Sequence, residues 1–132
     1  MKFPFGKIFQ SQSKQIPGKV KKQLDKSFPG AKNIDWEIKN DIFEAIFYLD
    51  DVEHIAKFMK EGSVLEYKKN LWLNELPAQI NKSGGAFGEI MNGIVVNRDN
   101  VLFYELIIRD TKLDRYVYLF DDKGNLMESH LL

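Results

Sequence analysis

Apolar residues recur every fourth position at Val20, Leu24 and Phe28, which predicts a helix with one buried stripe running from Pro17 to about Phe28. Pro17 suits a helix start, where a missing N–H leaves no bond unmade, and Pro29-Gly30 stops the helix. The period then changes to two. Strands are expected near Asn33 to Lys39, Ile42 to Asp50, Val52 to Lys60 and Ser63 to Asn70, with turns at Asn40-Asp41, Asp50-Asp51 and Glu61-Gly62. The second half repeats the pattern, with a helix near Pro77 to Lys82. Its strands are expected near Glu89 to Asn97, Val101 to Arg109, Leu113 to Asp121 and Asn125 to His130. Ser83-Gly84-Gly85 falls in that helix region and predicts a weakened or broken element.

The two halves match at an offset of about sixty residues. Ile16-Pro17 corresponds to Leu76-Pro77, Phe43-Glu44-Ala45-Ile46 to Tyr104-Glu105-Leu106-Ile107, and Ile55 to Phe58 with Gly62 to Val117 to Phe120 with Gly124. The shared order of short matches points to a duplicated unit. The chain therefore divides into an N-terminal segment, 1–15, a first repeat, 16–74, and a second, 75–132. The fold class is α+β: two tandem helix-plus-four-strand repeats forming one antiparallel sheet with the helices on one face.

A two-residue turn at Asp50-Asp51 sets Phe43 opposite Phe58, Ala45 opposite Ala56 and Phe47 opposite His54 on the face beneath the helix. The other face receives Glu44 with Lys57, Ile46 with Ile55, and Tyr48 with Glu53. In the second repeat the pairs Tyr104–Phe120, Leu106–Tyr118 and Ile108–Tyr116 lie under the helix, leaving Glu105, Ile107, Arg109, Arg115, Val117 and Leu119 opposite. An aromatic, covered face and an aliphatic, charged, open face are expected.

Composition narrows the chemistry. The 132 residues hold 19 Lys plus Arg against 19 Asp plus Glu, no cysteine and 44% hydrophobic residues, the balance of a chain that folds around its own apolar core. Zero cysteine removes disulfides, thiolate metal sites and thiol nucleophiles. A balanced charge supplies no field to gather a phosphate backbone, so nucleic acid is not an expected partner. The first sixteen residues contain Phe3, Phe5, Ile8 and Phe9 without a continuous apolar run, and Pro4 with Gly6 interrupts any amphipathic anchor. A flexible or docked terminus and no stable membrane insertion are expected.

The Ile/Leu-Pro helix starts, Phe28-Pro29-Gly30-Ala31, Asp35-Trp36-Glu37, Phe43-Glu44-Ala45 and the closing Phe120-Asp121-Asp122-Lys123-Gly124-Asn125-Leu126 together resemble the PepSY-like periplasmic domains often found in Bacteroidetes. The resemblance spans about residues 16–129. It implies a shape related to the tandem repeat of the beta-lactamase inhibitor protein, with a concave sheet presented to a partner, and it brings no catalytic or metal residues. It implies a periplasmic location if an export signal has been removed; a chain complete as given would be cytoplasmic.

Two histidines, His54 and His130, are too few for a His-rich metal site or a His-based catalytic constellation, and His54 is expected as a hydrogen-bonded strand residue. Asp50-Asp51 and Asp121-Asp122 lack the alternating oxygen ligands of a calcium loop and read as turn residues. Glu44 and Glu105 are related by the repeat, which accounts for them without glycosidic acid/base chemistry, and Lys57 is the expected ion-pair partner of Glu44. Gly84-Gly85-Ala86-Phe87-Gly88 lacks the lysine and preceding strand of a phosphate loop. Trp36 is expected in the core, and Trp72 as a plug in the inter-repeat connector.

No cofactor and no enzymatic activity are expected. The function expected is a binding module whose open sheet face docks a protein or peptide, with Glu44, Ile46, Tyr48, Ile55, Lys57, Glu105, Ile107, Arg109, Arg115 and Val117 as the contact residues. Homodimerisation would use the same face. The alternative is a small-ligand carrier or enzyme of the cone-shaped, cystatin-like α+β kind, with a pocket lined by Tyr104, Tyr116 and Tyr118.

Overall fold

The computed structural model describes residues 15–132; the aromatic segment before Gln15 lies outside the described residues. The chain forms two compact units that divide between Lys69 and Asn70. In the first, helix α1 (Gly18–Ser27) precedes strands β1 (Lys32–Lys39), β2 (Ile42–Leu49), β3 (Val52–Phe58) and β4 (Val64–Leu71). After a single 3-10 turn at Leu73–Glu75, helix α2 (Ala78–Gly85) precedes β5 (Glu89–Arg98), β6 (Val101–Arg109), β7 (Arg115–Asp121) and β8 (Leu126–Leu131). Each strand pairs antiparallel with its chain neighbour inside its unit. This is the expected α+β class, one helix to each set of four antiparallel strands.

The expected register holds residue for residue: Phe43 faces Phe58, Ala45 faces Ala56, and Tyr104 faces Phe120. The turns explain why. Asn40-Asp41, Asp50-Asp51 and Asp99-Asn100 all have two successive positive φ angles, the type I′ geometry whose twist matches a hairpin, and Asn and Asp adopt it more readily than other side-chain-bearing residues.

Both helices begin after a proline whose carbonyl accepts the first helical bonds, Pro17 from Val20 at 3.0 Å and Pro77 from Ile80 at 3.0 Å. Val20 and Leu24 of α1 join Trp36, Phe43, Ala45, Phe47, Ala56 and Phe58 in one core. Ile80 of α2 joins Tyr104, Leu106, Ile108 and Phe120 in the other. The volumes are exchanged between the copies. In the first unit the paired sheet residues Ala45 and Ala56 are small and the helix contributes Leu24; in the second the sheet contributes Leu106 and Tyr118, and the position corresponding to Leu24 is Gly84. A Cβ on Gly84 would come within 2.5 Å of Leu106 Cδ1. Gly84-Gly85 therefore does not break the helix, contrary to the expectation from local propensity. The helix runs through Gly85 because close packing against Leu106 and Ile90 outweighs about 1 kcal/mol of unfavourable propensity.

Three hairpins share a second loop type. Met59 to Ser63, Asp110 to Asp114 and Asp121 to Asn125 each close with the first residue's N–H donating to the last residue's carbonyl, at 2.9 Å in every case. Each places its fourth residue at positive φ: Gly62, Leu113 and Gly124. The expected strand at Leu113 accordingly begins at Arg115, because Asp110 Oδ1 accepts the N–H groups of Lys112 and Asp114 and holds those residues in the loop. Gly62 and Gly124 also sit directly on their helices. Added Cβ atoms would lie 3.1 Å from the Lys19 carbonyl oxygen and 3.0 Å from that of Gln79. Around Gly124 the latch is reinforced, with Ser83 Oγ donating to its carbonyl at 2.7 Å and Gln79 Nε2 to that of Asp122 at 2.9 Å.

Trp72 does not act as a plug. It is 57% exposed, as is the flanking Leu73 at 47%, while Leu71 before it and Leu76 four residues on enter the second core instead. Alternation along β4 sends Leu71 under the helix, and the 3-10 turn that follows leaves the indole outside.

Left-handed leucine costs roughly 1–2 kcal/mol, partly offset by the backbone entropy of glycine in the unfolded chain. Leu113→Gly is therefore expected to stabilise the fold by about 0.5–1 kcal/mol in urea unfolding. Gly62→Ala and Gly124→Ala are expected to destabilise it by roughly 1–3 kcal/mol each, since both strain φ and crowd a helix carbonyl.

Candidate functional site

The strand faces turned away from the helices carry all ten expected contact residues. In the first unit, Glu44, Ile46 and Tyr48 of β2 pair with Lys57, Ile55 and Glu53 of β3. In the second, Glu105, Ile107 and Arg109 of β6 pair with Leu119, Val117 and Arg115 of β7. The alternation thus brings the residues together within each unit as expected.

Their exposure is not as expected. Ile55 is 8% exposed, Ile107 5% and Val117 4%, and Glu44 is equally buried, so these residues are not an open apolar surface. Ile46, Tyr48, Lys57, Glu105 and Arg109 are half-buried and Arg115 is exposed. Long polar side chains account for part of the shielding. Lys57 lies opposite Glu66 of β4 and pairs with it at 3.4 Å, two residues along from Ile55, so aliphatic stems and an ion pair lie across the face. Glu66 is not among the expected contact residues; Lys57 has carboxylates on both neighbouring strands, Glu44 and Glu66.

The same face holds Tyr48, whose hydroxyl donates to Glu53 Oε2 at 2.8 Å. That bond, aided by burial and the nearby charge, holds the Tyr48 phenol above its ordinary value. On the second unit, Arg109 and Arg115 stand opposite each other, and Arg109 is bound to Glu89 at 2.6 Å. Arg115 keeps an exposed guanidinium beside it.

Asparagine supplies the least expected feature. Asn70 shares the alternation of Glu66 and Lys68 along β4, is 2% exposed, and has no hydrogen-bond partner at Nδ2 or Oδ1. Asn92, opposite Ile107, has an unpartnered buried Oδ1. Buried amides are nearly always satisfied, and leaving one unsatisfied costs about 1–3 kcal/mol. Nothing in sequence pattern marks these positions, because strand asparagines read as neutral.

His54 lies on the opposite, helix-covered face, between the rings of Phe47 and Tyr67 at centroid distances of 5.4 and 5.6 Å. Its Nδ1 is 2.7 Å from the Tyr67 hydroxyl, the satisfied strand histidine expected. Burial lowers its pKa and outweighs the hydrogen bond with the Leu49 backbone, which raises it; the Lys69 charge lowers it further and Asp50 opposes that by less. Burial pushes the Tyr67 phenol up to about 12. Among the described residues no three His, Asp or Glu side chains gather to hold a metal ion, and no helix is long and apolar enough to cross a membrane. Asp121 serves its loop, where Oδ1 accepts from the Lys123 and Asn125 N–H groups at 3.0 and 2.8 Å.

No protein-family model matches the sequence, and no curated protein matches it. Solved structures do. A DUF2874 family protein from Bacteroides uniformis superposes with a TM-score of 0.78 at 16% identity, over 87% of this chain and 88% of that one. A BLIP-like protein from Bacteroides fragilis gives 0.75 at 16% identity, over 97% and 90%. The fold is BLIP-like. A periplasmic-type protein from Bacteroides eggerthii shares it, with a TM-score of 0.79 at 20% identity over 88% of each chain. The expected relation to the beta-lactamase inhibitor shape thus holds at the level of the fold.

The lowered His54 pKa has a definite sign. The unfolded chain takes up the proton first, near its ordinary value of about 6.5, so the folded state loses stability as pH falls below that point. Thermal melting is expected to shift downward between about pH 6.5 and pH 5, before most carboxylates titrate. The double variant His54→Phe with Tyr67→Phe should flatten that limb.

Proposed function

We propose that the chain is a non-enzymatic binding module of the PepSY-like type, which docks a protein or peptide on the strand faces turned away from its helices. The observation that supports this most directly is the exposed Arg115, opposite Arg109 on the strand face turned away from α2. Half-buried Ile46 and Tyr48 and the exposed Arg115 supply apolar and charged contacts on the same side of their strands. The BLIP-like fold is compatible with inhibitor-like docking.

The packing gives less support to a carrier. Tyr104 is buried in the second core, and Phe87 stacks on Tyr118 at 4.6 Å, so side chains occupy the space beneath α2 that a ligand would need.

The test is affinity capture from an extract of the source organism, followed by competition with a chain carrying Ile46→Asp and Arg115→Glu. A partner held by the native face should be lost by at least about tenfold in affinity from the double variant, with circular dichroism and melting unchanged. Equal retention by the variant, or hydrogen-exchange protection confined to α1 and α2, would sink the assignment.

A further inference from the structure

Strand β8 pairs with β7 alone among the described residues, and every one of its residues is exposed. Its apolar side chains stand in water: Leu126 is 42% exposed, Met127 55% and Leu131 63%, with Leu132 just beyond at 50%. The edge strand of the first unit is built differently. β1 carries four charged residues, Lys32, Asp35, Glu37 and Lys39, which discourage strand addition; each edge ladder also has one register shift, between Lys32 and Asp35 in β1 and at Met127 in β8. β8 offers one carboxylate, Glu128, and one histidine, His130.

The geometry points to β8 as a self-pairing edge: we propose that two copies of this chain associate by antiparallel addition of β8 to β8 about a two-fold axis through Ser129. The parity of the ladder permits it. The Leu132 N–H donates to the Arg115 carbonyl at 2.9 Å, in register with Tyr116–Leu131, Val117–His130 and Tyr118–Ser129. Alternation then turns the backbone groups of His130 and Glu128 towards β7, and those of Ser129 and Leu131 outward. An axis through Ser129 pairs Ser129 with its own copy through reciprocal N–H···O=C bonds and brings the outward Leu131 N–H of each copy to the Met127 carbonyl of the other, the last bond before the ladder shift at Met127.

The side chains select this register over its neighbours. Centred on Ser129, Glu128 of each copy lies beside His130 of the other, a carboxylate acceptor next to an imidazole N–H donor, twice over. Centring on Glu128 would place two carboxylates together, and centring on His130 would place two imidazoles together. The surface is isologous, as a two-fold dimer requires. A single strand pair is a small interface, so association should depend on concentration. The proposal concerns the strand edge and stands independently of what the face binds.

Sedimentation velocity on the full chain over a concentration series tests it. The native chain should shift from monomer to dimer, and Ser129→Pro, which removes an outward N–H that β7 does not use, should raise the dissociation constant by about tenfold or more. Leu131→Lys provides a second disruption should the proline variant fold poorly. Glu128→His and His130→Glu should each weaken self-association, while an equimolar mixture of the two should form a heterodimer, since each then supplies the other's complement. A native chain that stays monomeric throughout overturns the proposal, including the case in which β8 captures a foreign extended peptide instead. A dimer indifferent to Ser129→Pro and Leu131→Lys, or a mixture that associates no better than its components, overturns it equally.

Discussion

The contact between each helix and the middle of its strands governs the rest of the structure. A helix can approach a sheet only as closely as the side chains between them allow, and the interior must be filled without voids. The first unit meets that condition with Leu24 above a pair of alanines, the second with Gly84 above Leu106. The same layer is thus built twice with the bulk on opposite sides. The edge of the layer shows a related difference, for Trp36 opposite Ala45 fills the first unit, while in the second Gly93 opposite Leu106 leaves room for Leu76. Repeat units diverge most readily through such compensated changes, because a substitution on one surface alone leaves a cavity or a clash.

Once the helix is seated, the hairpin glycines fasten its first turns to the loop between the last two strands, and the aromatic side of the sheet is closed. What remains is the opposite side. Its character follows from alternation: any residue excluded from the helix-covered core must appear there, including carboxylates at Glu44, Glu53 and Glu66 that are buried all the same. Buried acids need partners, and the Lys57–Glu66 ion pair together with the Tyr48–Glu53 bond meets part of that need. Asn70 stands apart because neither half of its amide is matched within the protein. A face of this kind is polar without being well solvated.

Much of this was legible in the sequence, and the reasons are physical. Two-residue turns leave no freedom in strand register, so Asp50-Asp51 alone determined which side chains share a face. Repeat symmetry carried that reading into the second unit even where a longer loop intervened. The failures occurred where tertiary contacts override local preference. Gly84 looked like a breaker because propensity is blind to the leucine it packs against. Leu113 looked like the start of a strand because leucine almost never occupies a left-handed loop position. Exposure of the second face was misjudged since alternation assigns a direction to a side chain and says nothing about what its neighbours cover. The unsatisfied asparagines could not be found at all without coordinates.

Pairing only between chain neighbours has a consequence for how the molecule is made. Every ladder within a unit joins segments a few residues apart, so little chain entropy must be lost before contacts begin to form, and low contact order of this sort favours rapid folding. The helix and four strands of the first unit lie within residues 18–71 and are all synthesised before α2 begins at Ala78. On the ribosome it can therefore mature while its duplicate is still being translated, which separates two nearly interchangeable halves in time and reduces the opportunity for strands of one copy to pair with those of the other.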